Sequence, residues 1–144
     1  MLVGEFEHTI DEKNRLKLPA KFRSCFGEKI WLTQGVDGCL DVYPDSDWQR
    51  LVQRRYSDLD PFDEDARLLA RQFFPNAADV IPDKQGRVTV PTPLVQKGGL
   101  SRDVVIAGVG DHLEIWDRDT WIAHVQELER RAKDAAKRLA AKHN

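Results

Sequence analysis

The stretch DEKNRLKLP at residues 11–19 returns as DKQGRVTVP at residues 83–91, an offset of 83 − 11 = 72. The match pairs Asp11 with Asp83, Arg15 with Arg87, Leu16 with Val88, Leu18 with Val90 and Pro19 with Pro91. Further on, LDVY at 40–43 matches LEIW at 113–116 and Trp48 matches Trp121, both at an offset of 73, so one residue is inserted between the two blocks. Two copies are too few for a solenoid array, and 144 residues are too few for two large independent domains. The repeat therefore predicts a duplicated unit, residues 1–72 and 73–144, whose halves complete one fold. A hydrophobic fraction of 41% is enough to fill a shared core.

Each unit reads as strand, turn, strand, short helix, two strands and helix. Phe6, His8 and Ile10 alternate with Glu7 and Thr9, the period of a half-buried strand. After the turn, Leu16 and Leu18 face inward with Arg15 and Lys17 outward; in the second copy Val88 and Val90 face inward with Arg87 and Thr89 outward. Short helices are expected after Pro19 and after Pro91, the second stopped by Gly98-Gly99, and strands near 30–34, 39–43, 103–107 and 112–116. Longer helices are expected from Asp45 or Ser46 to Tyr56, over EDARLLARQFF, and from Asp119 to Ala141. The last places Trp121, Val125, Leu128, Ala132, Ala135 and Leu139 on one apolar stripe. The four tryptophans read as core or subunit-interface residues.

The turns have a chemical logic. Asp at the first position accepts hydrogen bonds from backbone amides two residues on, and the fourth position enters the left-handed region. Glycine does so freely and asparagine at little cost, so Asn14 and Gly86 are expected to share a positive φ. Such a turn fixes the direction of the next side chain, which is arginine in both copies. Its planar fork can pair with a guanine edge or grip a phosphate. The plainer alternative is that Arg15 and Arg87 only pair with Asp11 and Asp83.

A net charge of −2 does not by itself suggest a nucleic-acid partner. The charge is segregated, however: Lys13, Arg15, Lys17, Lys21 and Arg23 stand together without an acid, while residues 58–65 are acidic. The tail from Arg130 onward is basic, either as a solvated helix face or as a contact to DNA or another protomer. The first fifteen residues do not resemble a signal peptide, and no apolar run approaches membrane-spanning length, so no membrane partner and a reducing, cytoplasmic setting are expected. Cys25 and Cys39 form neither a disulfide framework nor a zinc motif, and no metal or cofactor is expected. His8, His112, His124 and His143 are scattered, with no nucleophile beside them and no phosphate-binding glycine loop, so an enzyme is not expected.

The two D-x-x-(G/N)-R-(L/V)-x-(L/V)-P segments, the PAKFR after the first, the opening MLVGEF, LDVYP and LEIWD closely resemble the MraZ family of bacterial transcriptional regulators, in the SpoVT/AbrB-like swapped-hairpin group. The resemblance covers almost the whole chain. It implies an α+β, β-rich fold in which two tandem SpoVT/AbrB-like units form a swapped-hairpin, double-psi-like β-barrel core with flanking helices. It also implies a homo-oligomeric ring of about eight or more protomers, nucleoid association, and repression through short direct repeats in double-stranded DNA ahead of the division and cell-wall gene cluster, its own operon included. Carried over by position, the DNA contacts are Arg15 and Arg87, supported by Lys13, Lys17, Lys84, Lys21 and Arg23, with Asp11, Asn14, Asp83 and Gly86 forming the turns. Pro93 and Val95 stand where the first copy has Lys21 and Arg23, so the second half should grip phosphate less strongly. An antitoxin-like interaction module shares this hairpin group, but the second folded repeat and the structured final helix count against it.

Overall fold

The computed structural model describes residues 1–143. The first half contains β1 (Leu2–Thr9), β2 (Arg15–Lys17), α1 (Ala20–Phe26), β3 (Ile30–Gln34), β4 (Leu40–Pro44), α2 (Asp45–Tyr56) and α3 (Glu64–Phe73). After a 3-10 turn at Phe74–Asn76, the second half contains β5 (Ala78–Val80), β6 (Arg87–Thr89), α4 (Thr92–Lys97), β7 (Asp103–Gly110), β8 (Leu113–Asp117) and α5 (Arg118–Lys142). Pro19 and Pro91 precede α1 and α4, where a fixed φ suits a helix start. Asp63 caps α3 by accepting from the amide of Asp65 at 2.9 Å. No helix among the described residues is long and apolar enough to cross a membrane.

The two halves exchange strands. One antiparallel sheet runs β1-β7-β8-β4-β3-β5, so the first strand of each half pairs with the third strand of the other. A separate ribbon joins β2 to β6, again across the halves. The fold is thus α+β and sheet-rich. Its ladder does not close into a barrel among the described residues, because β1 hands over to β2 through a single bridge, Ile10 to Leu16, and β5 pairs for three residues only.

Alternation along the strands assigns the layers. Leu16, Leu18, Val88 and Val90 from the ribbon segments are buried against Leu32, Leu40, Val42, Ile106, Leu113 and Ile115 of the sheet, with Phe22, Phe26 and Leu94 from the short helices filling in. The opposite sheet face carries a smaller aromatic cluster, in which Trp48 of α2 stacks on Trp31 and Phe73 with Tyr43 edge-on. The repeat-related tryptophans therefore differ in setting: Trp48 is buried, whereas Trp121 is half-buried, tilted on Trp116 and donating from Nε1 to Glu5 at 2.9 Å. The stripe read from the last helix sits on α5, but Val125, Leu128 and Leu139 are exposed and no residue of α5 is buried.

Candidate nucleic-acid interface

The ribbon begins as two identical turns. Oδ1 of Asp11 accepts from the amides of Lys13 and Arg15, both at 2.9 Å, while Oδ2 accepts from Arg15 Nε at 2.7 Å. Asp83 repeats this with Gln85 (2.8 Å), the Arg87 amide (2.9 Å) and Arg87 Nε (2.7 Å). Amide donation, from the arginine first, holds both carboxyls below the usual carboxylate range, so each turn keeps a fixed negative charge. The left-handed fourth positions are Asn14, at φ 59°, and Gly86, at φ 77°. The turns are stapled across the halves: the Leu18 amide donates to the Gly86 carbonyl at 3.0 Å, and the Val90 amide to the Asn14 carbonyl at 2.8 Å.

Both arginines therefore make the local ion pair that the plainer reading anticipates. That pair does not use up the fork. It engages Nε, and the terminal nitrogens of Arg15 and Arg87 have no hydrogen-bond partner among the described residues. The aspartate instead fixes the guanidinium at the mouth of the turn, with the two side chains 33% and 34% exposed. An oriented fork loses less entropy on meeting a ligand than a free one.

Strand register then gathers what the sequence holds 72 residues apart. Arg15 lies opposite Thr89, Leu16 opposite Val88, and Lys17 opposite Arg87. With Leu16 and Val88 buried beneath, Arg15, Lys17, Arg87 and Thr89 share the outer face of one two-stranded ribbon. Thr89 was legible as outward-facing by alternation, but only the register seats it beside Arg15. Lys13 and Lys84 are exposed in the turns, at the third and second positions respectively, so they are not repeat equivalents. Lys17 lies close enough to His8 for its charge, after burial, to lower that imidazole's pKa.

Lys21 and Arg23 are placed differently. Lys21 Nζ donates to the Val3 carbonyl at 3.4 Å and sits 5.9 Å from the Phe6 and Phe22 ring centres. Arg23 Nε donates to the Leu18 carbonyl at 3.3 Å, and its guanidinium packs on the turn of the other half: a Cβ on Gly86 would stand 2.4 Å from that Nε. The equivalent of Arg23 at an offset of 72 is Val95, and the turn on that side carries Asn14, whose Nδ2 donates to Thr92 Oγ1 at 3.1 Å. The Gly-for-Asn exchange between the turns thus goes with the Arg-for-Val exchange between the short helices. A cavity of about 370 Å3 lies beside this contact, lined by Arg23, Phe26, Ile81, Lys84 and Gly86 among others.

A two-stranded ribbon with a cationic outer face matches the width of a DNA major groove, about 12 Å, and places planar donors where base edges and phosphates lie.

Residues 1–72 and 73–142 each match the family described as "MraZ protein, putative antitoxin-like". The chain is 46% identical to the transcriptional regulator MraZ of Limosilactobacillus fermentum over 86% of both chains. It is 41% identical to that of Heliobacterium modesticaldum over 96% of both, and 45% identical to that of Lachnoclostridium phytofermentans over 84% of both.

Proposed function

The chain belongs to the MraZ family, and from that premise we propose that it is a DNA-binding transcriptional regulator whose reading head is the β2/β6 ribbon. The observation that carries this is the register that sets Arg15, Lys17 and Arg87 on one outer face, each arginine oriented by its own turn aspartate. Arg15 and Arg87 supply the planar donors for base edges or phosphates. Lys17, Lys13 and Lys84 add phosphate contacts along the flanks, and Asp11, Asn14, Asp83 and Gly86 hold the geometry. Lys21 and Arg23 act mainly by bracing β1 and the opposite turn.

The role is non-enzymatic, in keeping with relatives named as regulators. The target we propose is a set of short direct repeats ahead of the division and cell-wall gene cluster, bound by a homo-oligomeric ring at the nucleoid. Multiplicity would compensate for the few cations each protomer offers, since linked sites gain from effective concentration. The exposed apolar stripe of α5 supports contact between protomers. We also assign the core to the swapped-hairpin barrel group, with units at 1–72 and 73–144, a reading supported by the exchange of first strands and the cross-paired ribbon.

Fluorescence anisotropy on the DNA upstream of the chain's own gene tests the interface. Arg15→Ala and Arg87→Ala should each weaken binding by about 1–3 kcal/mol if they read a base. Loss of a phosphate contact should flatten the log-log salt dependence by about 0.9. Particle mass by light scattering should not change. Unaltered affinity and salt slope in both variants would remove the ribbon from the interface.

A further inference from the structure

On the sheet face away from the main core, the duplication brings equivalent residues together. At an offset of 73, Cys39 corresponds to His112 and Asp41 to Glu114. β4 pairs with β8 as Leu40 to Ile115, Asp41 to Glu114 and Val42 to Leu113, so the internal two-fold passes between the two carboxylates. Like charges directly opposite each other on neighbouring strands are destabilising unless something offsets them.

Three kinds of donor surround this point. The thiol of Cys39, a residue 1% exposed, lies 3.7 Å from Asp41 Oδ1. One donor atom from each of Cys39, Asp41 and Glu114 falls within 4.8 Å of the others. His112 Nε2 stands 3.6 Å from Asp41 Oδ1 and 3.9 Å from Glu114 Oε2, with Tyr43 stacked on its ring. Trp116 Nε1 donates to the other oxygen of Glu114 at 3.1 Å, which fixes that carboxylate from behind.

A second feature is the close approach of the donors to Gly35. A Cβ on Gly35 would come within 2.8 Å of both Cys39 Sγ and Asp41 Oδ1, and Gly35 is not among the positive-φ residues. Its lack of a side chain answers to these donors and to the Cys39 carbonyl, 3.1 Å from that Cβ, and not to a positive φ. A cavity of about 320 Å3, lined by Thr33, Gly35, Tyr43 and Arg55 among others, is bordered by Asp41 of the cluster.

We propose that Cys39, Asp41 and Glu114 bind a divalent cation of the zinc class, with His112 as the adjacent nitrogen donor. Metal–oxygen and metal–sulfur bonds of about 2.0 and 2.3 Å in a tetrahedron set neighbouring donors roughly 3.3–3.5 Å apart, against 3.7 Å from Cys39 Sγ to Asp41 Oδ1 and a spread within 4.8 Å for all three, so small side-chain adjustments close the site on an ion. A thiolate and an imidazole together select zinc-like ions over magnesium or calcium. On binding, a sulfur lone pair forms the metal–sulfur bond while the Cys39 S–H proton leaves to solvent, with no change of oxidation state. An ion there would tie β4 to β8, and so one half to the other.

The test is a titration of the full chain, stripped by a chelator, with Co2+ alone. We expect saturation at one equivalent per chain, thiolate-to-cobalt charge-transfer absorption, proton release, and displacement by Zn2+. The chain has two cysteines, and Cys25 is exposed on α1. Cys25→Ser should therefore keep the charge-transfer band and Cys39→Ser should abolish it, while Asp41→Asn and Glu114→Gln should each lower affinity at least tenfold. Absence of saturable Co2+ binding to the unaltered chain, or loss of the band in Cys25→Ser, overturns the proposal.

Discussion

Replacing Gly86 by alanine isolates a contact that joins the halves at the reading turn. Two costs arise. At φ 77° an L side chain is strained, by about 1–2 kcal/mol. The new methyl would also sit 2.4, 2.8 and 2.9 Å from Nε, Cζ and Cδ of Arg23, so that side chain must swing away and give up its bond to the Leu18 carbonyl. That bond is long, at 3.3 Å, and contributes about 0.5–1 kcal/mol. The sum is about 2 kcal/mol, roughly 6 °C in Tm for a chain of this size. In an Arg23→Ala background only the backbone strain remains, so the same substitution should cost about 0.5–1 kcal/mol less. Urea unfolding of the four proteins at one fixed protein concentration measures this coupling. An equal cost in both backgrounds would mean that Arg23 does not brace the turn, and the explanation for the Gly-for-Asn exchange would fall.

Leu16→Ala removes a side chain with no exposure from the junction of ribbon and sheet, and should cost about 2–5 kcal/mol in denaturant unfolding. Trp48→Ala should destabilise far more than Trp121→Ala in thermal melts, because Trp48 is buried in a stacked cluster while Trp121 is half-buried at the start of α5. Acid should loosen the turns only below the ordinary carboxylate range. The pKa values of Asp11 and Asp83 are depressed by folding, so their contribution is complete above the ordinary carboxylate range and is lost only as pH falls through the lowered values. Amide NMR of Arg15 and Arg87 across an acid titration should show late midpoints, and Asp11→Asn should remove the one at Arg15. Lys17→Ala should flatten the salt dependence of DNA binding without changing which sequences bind best.

Several of these features were legible in the sequence because they are local. Asp, three intervening residues and Arg make a turn through hydrogen bonds that close within five positions, so DEKNR and DKQGR declare the same geometry wherever they are found. Alternation sorted Leu16 and Val88 from Arg15 and Arg87 by the period of a strand alone. The helix from Asp45 to Tyr56 agreed with its pattern, and the repeat announced that the halves belong to one fold. The strand after residue 39 begins at Leu40, and β7 continues to Gly110, past the expected 107, because its partner β1 runs the full eight residues. Strand length there is set by the neighbour and not by the strand's own composition.

Partnership between distant segments was decided by the tertiary structure. Two oriented arginines, two left-handed turn positions and an amphipathic alternation could be read from the chain alone, because all are governed by contacts a few residues apart. It did not say that β2 pairs with β6, which turns two separate arginines into one cationic face with Lys17. Lys21 and Arg23 looked equal to the other cations in a list of charges, yet packing sends one to the Val3 carbonyl and the other to the turn at Gly86. Cys39 forms no metal motif in the sequence because Glu114, the donor that completes its cluster with Asp41, lies more than seventy residues away and meets them only where β4 and β8 pair. The physical reason is common to all three. Backbone dihedrals and hydrogen-bonded turns are set by neighbours in the chain, whereas strand order and register are set by which apolar faces can be buried together, and that depends on the whole fold.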